Sequence, residues 1–229
     1  MGAIPVDEGV AFRDEDPHAS AVHVVGEFNE WNETAAPMAS EGNGFWYAVL
    51  PDAAVGQGYK FLVTNGDQTF YRIDPYARQV TNSVGHGVIY DHGAYDWEGD
   101  QYDCPWHHEL VIYELHVGSF FTDKEGRPGT FKLVGEKLEH LVKLGVNAIQ
   151  IMPVMEFAGD FSWGYNPAHI FAVESGYGGP DALKDLVKQA HRHGLAVIID
   201  VVYNHFGPSD LDLWQFDGWS ENDKGGIYF

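Results

Sequence analysis

The sequence predicts two architectures in one chain, a small antiparallel β-sandwich followed by alternating strands and helices. Short β-rich runs separated by turn residues fill the first hundred positions, without a helical period. After about residue 108, apolar runs of strand length alternate with segments whose apolar residues recur at helical spacing. The apolar run at 196–202 is continuous, as in a parallel strand buried on both faces. These patterns indicate a multidomain protein with a β part and an α/β part.

The N-terminal part is predicted to be an immunoglobulin-like β-sandwich over residues 1–95. The clearest strand candidates are residues 21–25, 44–50 and 58–63. Turn residues bound each of them, and Asn65-Gly66 is a typical two-residue hairpin turn. Regularly spaced short strands favour a sandwich. We expect a linker over residues 96–107, where the pattern loosens into a polar and aromatic stretch.

Residues 108–229 are predicted to form strand and helix in alternation. The expected elements are strands at 110–117, 146–152 and 196–202, and helices at 131–144 and 181–193. Gly145 and Gly194 follow the two helices, and Pro180 precedes the second. Strands that alternate with helices imply parallel pairing through right-handed crossovers. Three such units fall short of the eight that close a (β/α)8 barrel, so strand 196–202 is expected to need a further neighbour.

The composition restricts the classes of partner that the protein is expected to bind and the cellular compartment in which it is expected to lie. Acidic residues outnumber basic ones 34 to 13, for a net charge of −21. Nucleic acid and anionic membranes are therefore not expected as partners, because binding them needs clustered Lys and Arg. Cys104 is the single cysteine, which excludes an intrachain disulfide, and no signal peptide or membrane-length apolar run is visible. These features predict a cytoplasmic protein.

The α/β part contains three motifs whose order along the chain is informative about its family. Gly145 to Pro153 reads as a strand and its exit, Trp163-Gly-Tyr165-Asn-Pro follows in a loop, and Asp200-Val-Val-Tyr-Asn204-His205 ends the third strand. Together they resemble the α-amylase superfamily, glycoside hydrolase family thirteen. The resemblance implies the first three βα units of a TIM (β/α)8 barrel. It also implies retaining chemistry on α-glucosidic bonds, in which a carboxylate nucleophile and a general acid/base act in two steps.

The resemblance assigns roles residue by residue. Tyr165 would stack beneath the sugar in subsite −1, with Trp163 beside it. Asp200 would support the site electrostatically, His205 would donate to a sugar hydroxyl, and Asn204 would shape the wall. The family's nucleophile and acid/base come from later strands. We therefore expect no catalytic carboxylate in this chain and place those groups after Phe229.

The β-rich part resembles carbohydrate-binding module family forty-eight. Gly26-Glu-Phe-Asn-Glu-Trp31 and Gly58-Tyr-Lys60 carry the likeness, so Trp31 and Lys60 are candidate glycan-binding residues. Phe70 stands near the position of the family's second Trp, and the family's Asn has no clear counterpart. Because only half of the family's glycan-binding residues are clearly present, a sandwich with a purely structural role is favoured over one that binds glycan. The acidic run at 12–17 predicts a distorted or frayed first strand, since inward carboxylates are costly.

The functional expectation is an α-glucan enzyme that acts on α-1,4-glucan or maltooligosaccharide. The order and spacing of the motifs resemble 1,4-α-glucan branching enzymes, which we rank first. Tyr203-Asn204-His205 is closer to the pattern of trehalose-releasing trehalohydrolases and debranching enzymes, which follow. A non-catalytic glycan-binding protein made from a truncated chain is the alternative of another class. No metal site or cofactor is predicted, and calcium and the oligomeric state are left open.

Overall fold

The computed structural model describes residues 1–123, 126–159, 161–207 and 211–229. Its N-terminal part contains strands β1 (Gly2–Val6), β2 (Gly9–Glu15), β3 (Ala21–Gly26), β4 (Ala39–Gly42), β5 (Phe45–Leu50), β6 (Gly58–Asn65), β7 (Gln68–Arg72) and β8 (Gly87–Val88). One four-stranded sheet has the order β1-β2-β5-β4, and in the other β6 pairs with β3, β7 and β8. All of these pairings are antiparallel.

The two sheets pack face to face around one apolar core. Val10 and Phe12 of the first sheet meet Val24 and Phe61 of the second, and all four are buried. The Phe12 and Tyr59 rings meet edge to face with centroids 5.2 Å apart. The three predicted strands correspond to β3, β5 and β6, so the β-rich architecture of this part is confirmed.

The predicted distortion of the first acidic strand is wrong. β2 pairs regularly with β5 from Val10 through Glu15, although Asp14 is fully buried and Asp16, just beyond the strand, is 1% exposed. Burial raises the pKa of Asp14 well above its usual range and that of Asp16 to about 7. The strand tolerates the carboxyl groups because burial favours their neutral, protonated form.

The C-terminal part is built on three parallel strands. Its elements are β9 (Ile112–Leu115), α1 (Val117–Phe120), α2 (Phe131–Gly135), α3 (Leu138–Leu144), β10 (Ala148–Ile151), β11 (Met155–Phe157), β12 (Pro167–Val173), α4 (Gly179–Arg192) and β13 (Ala196–Ile199). β10 lies between β9 and β13, and both pairings are parallel, as predicted. β11 and β12 form an antiparallel hairpin within the stretch that we expected to be a loop.

The helix predicted at 131–144 is broken into α2 and α3. Thr130 caps α2 by accepting a hydrogen bond from the Leu133 amide at 3.3 Å. Lys137 leaves the helical region, with φ −110° and ψ 0°, and its ammonium lies 3.7 Å from the centroid of the Phe121 ring. The helical apolar spacing survives the break, so Leu138 stays buried in the core between the helices and the parallel sheet. Gly145, at φ 93°, ends α3 as predicted.

The segment that connects the two parts (residues 91–106) lies on the polar face of α4. Its contacts are Tyr95 with Asp185, Glu98 with Lys188 and Arg192, and Asp100 with His191. The Tyr102 ring also stacks on His191 at 4.5 Å. The boundaries predicted at 95 and 108 stay predictions. Within the described part of the chain, no helix has the length and apolar content needed to cross a membrane.

Candidate functional site

The predicted site residues converge at one edge of the parallel sheet. Asp200 directly follows β13, and its amide donates to the Ile151 carbonyl of β10 at 3.0 Å. The β11–β12 hairpin begins a few residues after β10, so the described part of its connecting loop (residues 158–159 and 161–166) reaches the same edge. The carboxyl ends of parallel strands meet at one edge, which is where α/β barrels hold their reactive groups.

Tyr165 and Asp200 contact each other directly. The Tyr165 hydroxyl donates to Asp200 Oδ2 at 2.8 Å, and this bond to a carboxylate raises the pKa of Tyr165. Tyr165 is 41% exposed while Asp200 is half-buried. The site therefore presents an accessible aromatic ring whose orientation is held by a carboxylate.

His205 joins the same cluster through its ring nitrogens. Nε2 lies 2.6 Å from the Tyr165 carbonyl oxygen, and Nδ1 lies 2.5 Å from the Asn204 amide nitrogen. A carbonyl oxygen can only accept, so Nε2 carries the proton and Nδ1 accepts from Asn204. Both ring nitrogens are therefore engaged within the chain. Donation from His205 to a sugar would require the Tyr165 carbonyl to give up its hydrogen bond.

The loop that carries Tyr165 is held by its own polar groups. The Ser162 hydroxyl donates to Asn166 Oδ1 at 2.6 Å and accepts from the Gly164 amide at 3.0 Å. Gly164 has φ 86°, and a Cβ there would lie 2.1 Å from the Pro153 carbonyl oxygen. Trp163, 70% exposed, projects from this loop, and no hydrogen bond within the described chain links its side chain to Tyr165 or Asp200.

A cavity of about 730 Å³ opens beside the cluster, and Trp163 lines it. His116, which directly follows β9, lines it as well. His116 Nε2 is 2.8 Å from the Ser162 carbonyl oxygen and 3.0 Å from the Tyr177 hydroxyl, while Nδ1 is 2.8 Å from Ser119 Oγ. Burial raises the pKa of Tyr177 to about 12. Tyr177 was not predicted, because the sequence shows it only as an aromatic residue just before α4.

The described residues that line this cavity include no Asp or Glu. Retaining glycoside chemistry needs two carboxyl groups about 5–5.5 Å apart. Asp200, the carboxylate that contacts Tyr165, is already bonded to that tyrosine. The arrangement can orient a sugar by stacking and hydrogen bonding.

A buried pair of carboxyl groups lies elsewhere, in a cavity of about 640 Å³ lined by Glu156 and Glu174. Burial, followed by the charge of Glu174, raises the pKa of Glu156 to about 7. Glu156 accepts from the Ser175 amide at 2.8 Å, and Glu174 accepts from the Gly176 amide at 2.8 Å. The two side chains thus secure the turn that leads into α4. The sequence pattern carried no sign of this pairing.

The two predicted glycan-binding residues of the sandwich lie on neighbouring elements. Trp31 is half-buried at φ 58°, and its ring meets the edge of His86 at a centroid distance of 5.3 Å. Lys60 is half-buried on β6 opposite Val25. In the described part of the chain, no hydrogen bond or ion pair engages the Lys60 side chain. Among the described residues, no three His, Cys, Asp or Glu side chains form a group able to hold a metal.

Two family models match the chain. "Carbohydrate-binding module 48 (Isoamylase N-terminal domain)" matches residues 1–77, and "Alpha amylase, catalytic domain" matches residues 61–218. The 1,4-alpha-glucan branching enzyme GlgB of Pseudoalteromonas atlantica is 34% identical over 220 residues, covering 88% of this chain and 29% of that protein. The malto-oligosyltrehalose trehalohydrolase of Deinococcus radiodurans is 43% identical over 184 residues, covering 78% of this chain and 28% of that protein.

Solved structures show the same architecture. The pullulanase from Bacillus acidopullulyticus superposes with a TM-score of 0.77 at 27% identity, covering 92% of this chain and 30% of that chain. The chain thus spans 29% and 28% of the length of the two curated relatives above.

Proposed function

The chain belongs to the α-amylase family, and from this premise we propose that it is the N-terminal portion of a retaining enzyme acting on α-glucans. A branching-type glucanotransferase is the activity we rank first. The relative from Pseudoalteromonas atlantica, a branching enzyme, matches almost the whole of this chain. The observation that carries the proposal is the Tyr165, Asp200 and His205 cluster at the carboxyl edge of the parallel sheet.

Trehalose release is the second candidate, and a specific observation favours it. The trehalohydrolase from Deinococcus radiodurans has the higher identity, 43% against 34%, over a shorter stretch. Tyr203-Asn204-His205 also resembles the trehalohydrolase and debranching pattern more than the branching one. Both candidates break an α-glucosidic bond through a covalent intermediate and differ in whether a glucan hydroxyl or water accepts the sugar.

We propose that residues 108–229 are the first three βα units of a (β/α)8 barrel. β9 and β13 are the outer strands of the three-stranded sheet, and Ile112 and Ile199 on them are 48% and 36% exposed. Apolar outer strands of this kind are normally covered or paired. Further strands would cover them, and we place the nucleophile and the acid/base on those strands, after Phe229.

The site roles follow from this placement. Tyr165 would be the stacking platform and Trp163 a flanking aromatic, while Asp200 and Asn204 hold Tyr165 and His205 in position. For the sandwich, Trp31 and Lys60 are the candidate glycan contacts. Replacing Trp31 with Ala should abolish retention on amylose in affinity electrophoresis if the sandwich binds glycan, and unchanged retention would leave it a structural domain.

The test compares the 229-residue chain with the protein encoded by the complete reading frame, on amylose and on maltooligosyl-trehalose. Iodine staining and reducing-end release are followed together. We expect the longer protein alone to be active, with loss of iodine colour without new reducing ends indicating transfer. A complete reading frame that ends at Phe229, with glycan binding and no turnover, would instead support the non-catalytic alternative.

In the active longer protein, His205→Ala should lower turnover far more than it lowers the melting temperature. Tyr203→Ala is the matched control, because Tyr203 is 70% exposed and lies two residues away on the same segment. Equal turnover of the two variants would remove His205 from the site.

A further inference from the structure

A third cavity lies at the C-terminal segment, away from the site described above. It measures about 570 Å³ and is lined by Trp214, Trp219, Glu221, Asn222, Lys224 and Phe229. Pockets for small ligands are commonly about 300–1,000 Å³ and combine aromatic walls with a few polar groups. This cavity meets both criteria.

The indole of Trp219 is held in place while remaining accessible. One of its faces stacks on the His18 imidazole, with centroids 4.5 Å apart and planes 8° from parallel. The buried Asp217 carboxylate accepts from the His18 amide at 3.0 Å and from the Trp219 amide at 3.1 Å, so it fixes both residues. Trp219 nevertheless stays 39% exposed. An indole that is pre-oriented loses little conformational freedom when a ligand stacks on it.

The turn that contributes the polar lining residues has a constrained backbone as well. Asn222 and Asp223 have φ of 56° and 57°, and the Lys224 amide donates to the Glu221 carbonyl at 3.2 Å, which forms a tight turn. Gly226 forms part of the lining, where a Cβ would lie 2.8 Å from the Gln215 Cα. The turn thus presents its polar side chains from a constrained backbone.

Those polar side chains are available to a ligand. Across residues 1–123, 126–159, 161–207 and 211–229, none hydrogen-bonds to or pairs with the side chains of Glu221, Asn222 or Lys224. They supply an acceptor, an amide and a cationic donor. Sugar hydroxyls both donate and accept, and a pyranose ring offers apolar C–H faces, so this combination suits a sugar better than a purely apolar molecule.

Two aromatic residues that line the cavity contact other parts of the molecule. The Phe229 ring contacts Trp214 at 5.3 Å and Phe206 at 5.4 Å, and Phe206 directly follows His205. On the other side, Trp219 reaches the sandwich through His18. We propose that this cleft is a second sugar-stacking site that holds a segment of an α-glucan chain between the sandwich and the candidate site. The inference rests on the α-glucan substrate class proposed above.

The test is calorimetric titration of maltoheptaose into the 229-residue chain. Trp219→Ala should weaken binding at least about tenfold. Trp97→Ala is the matched control, since Trp97 is also 39% exposed but lies in the connecting segment, and its affinity should equal that of the unmodified chain. Trp31→Ala separately measures any contribution of the sandwich site.

A second variant tests the proposal even if Trp219→Ala does not fold. Glu221→Gln with Lys224→Ala alters exposed side chains that form no hydrogen bond or ion pair with any residue that the structure describes, and it should weaken binding while leaving the circular dichroism and melting temperature unchanged. Unaltered affinity in a folded Trp219→Ala chain, or in this double variant, would overturn the cleft proposal. If the complete protein turns over amylose in that case, the proposed function stands and the cleft alone fails. If the chain binds no maltoheptaose and the complete protein acts on no α-glucan, both fail.

Discussion

At the scale of single residues, backbone conformation decides where the aromatic platform lies. Gly164 adopts a left-handed φ, and its Cα faces the Pro153 carbonyl so closely that a side chain has no room. This close approach turns the next residue, Tyr165, toward Asp200. A glycine in a loop carries no such information in the sequence. The Trp-Gly-Tyr motif was recognisable, but the steric demand on its glycine was not.

Gly164→Ala should destabilise the chain by more than about 3 kcal/mol, because it combines a left-handed φ with a backbone clash. Gly159→Ala in the same loop is the control. Gly159 also has a left-handed φ, 81°, but no atom lies within 4 Å of the position that a Cβ would occupy, so we expect about 1–2 kcal/mol. Urea unfolding measures both. Equal losses for the two variants would show that the contact with Pro153 has no energetic role.

The buried carboxyl group of Asp16 makes stability depend on pH. Burial raises its folded-state pKa from 3.8 to about 7, so the folded protein binds more protons than the unfolded chain between those values. Stability should therefore fall as pH rises through this window, by up to about 1.4 kcal/mol per pH unit from this group. Asp16→Asn should flatten the fall and stabilise the protein at pH 8.

Urea unfolding at pH 5 and pH 8 checks this expectation. Asp7→Asn, at an exposed position, provides the control for a change in net charge. A pH dependence that is the same in Asp16→Asn and in the unmodified chain would mean that Asp16 ionises equally in both states.

At the scale of elements, both faces of α4 make contacts: the apolar face with the parallel sheet, and the polar face with the connecting segment. Leu186 and Ala190 face the parallel sheet, and the helical spacing of the apolar residues predicted this face. On the polar face, Lys188 is 6% exposed, and its ammonium lies 3.0 Å from Glu98 and 3.1 Å from the Asp96 carbonyl. A lysine at a polar helical position looks like a solvated charge in the sequence. Its burial under the connecting segment depends on partners about 90 positions away.

Lys188→Ala should release the connecting segment, because two of its acceptors lose their donor. We expect several-fold faster cleavage by chymotrypsin between Tyr95 and Trp106, since local opening controls proteolysis. Lys143→Ala is the control, because its pair with Glu139 is exposed on both sides. Cleavage at the unmodified rate would show that the segment is held by its other contacts.

At the scale of the whole molecule, residues 211–229 join the α/β part to the sandwich. The Arg72 guanidinium on β7 donates to the Phe216 carbonyl at 2.6 Å and the Gln215 carbonyl at 2.9 Å. The Ile73 amide donates to Asp212 at 2.7 Å. These contacts hold the segment that lines the Trp214 and Trp219 cleft against the sandwich.

Arg72→Lys should destabilise this junction by about 1–3 kcal/mol, because a lysine cannot supply both donors in the same geometry. Arg78→Lys, a half-buried arginine without a comparable fork, is the control. Thermal unfolding and limited proteolysis after Trp214 and Trp219 measure the change. A melting temperature unchanged from that of the control variant would show that Arg72 does not hold the junction.

The sequence by itself determined the succession of a β-rich part and an α/β part, the parallel strands, the apolar face of α4 and the family, because each leaves a local pattern of burial or a motif of fixed spacing. Only the tertiary structure decided that Asp14 and Asp16 are buried, that α2 and α3 are separate, and that His18 stacks on Trp219. The physical reason is distance along the chain. His18 and Asp217 stand 199 positions apart, and the hydrogen bond between them exists only because the β-rich part and the C-terminal segment fold against each other.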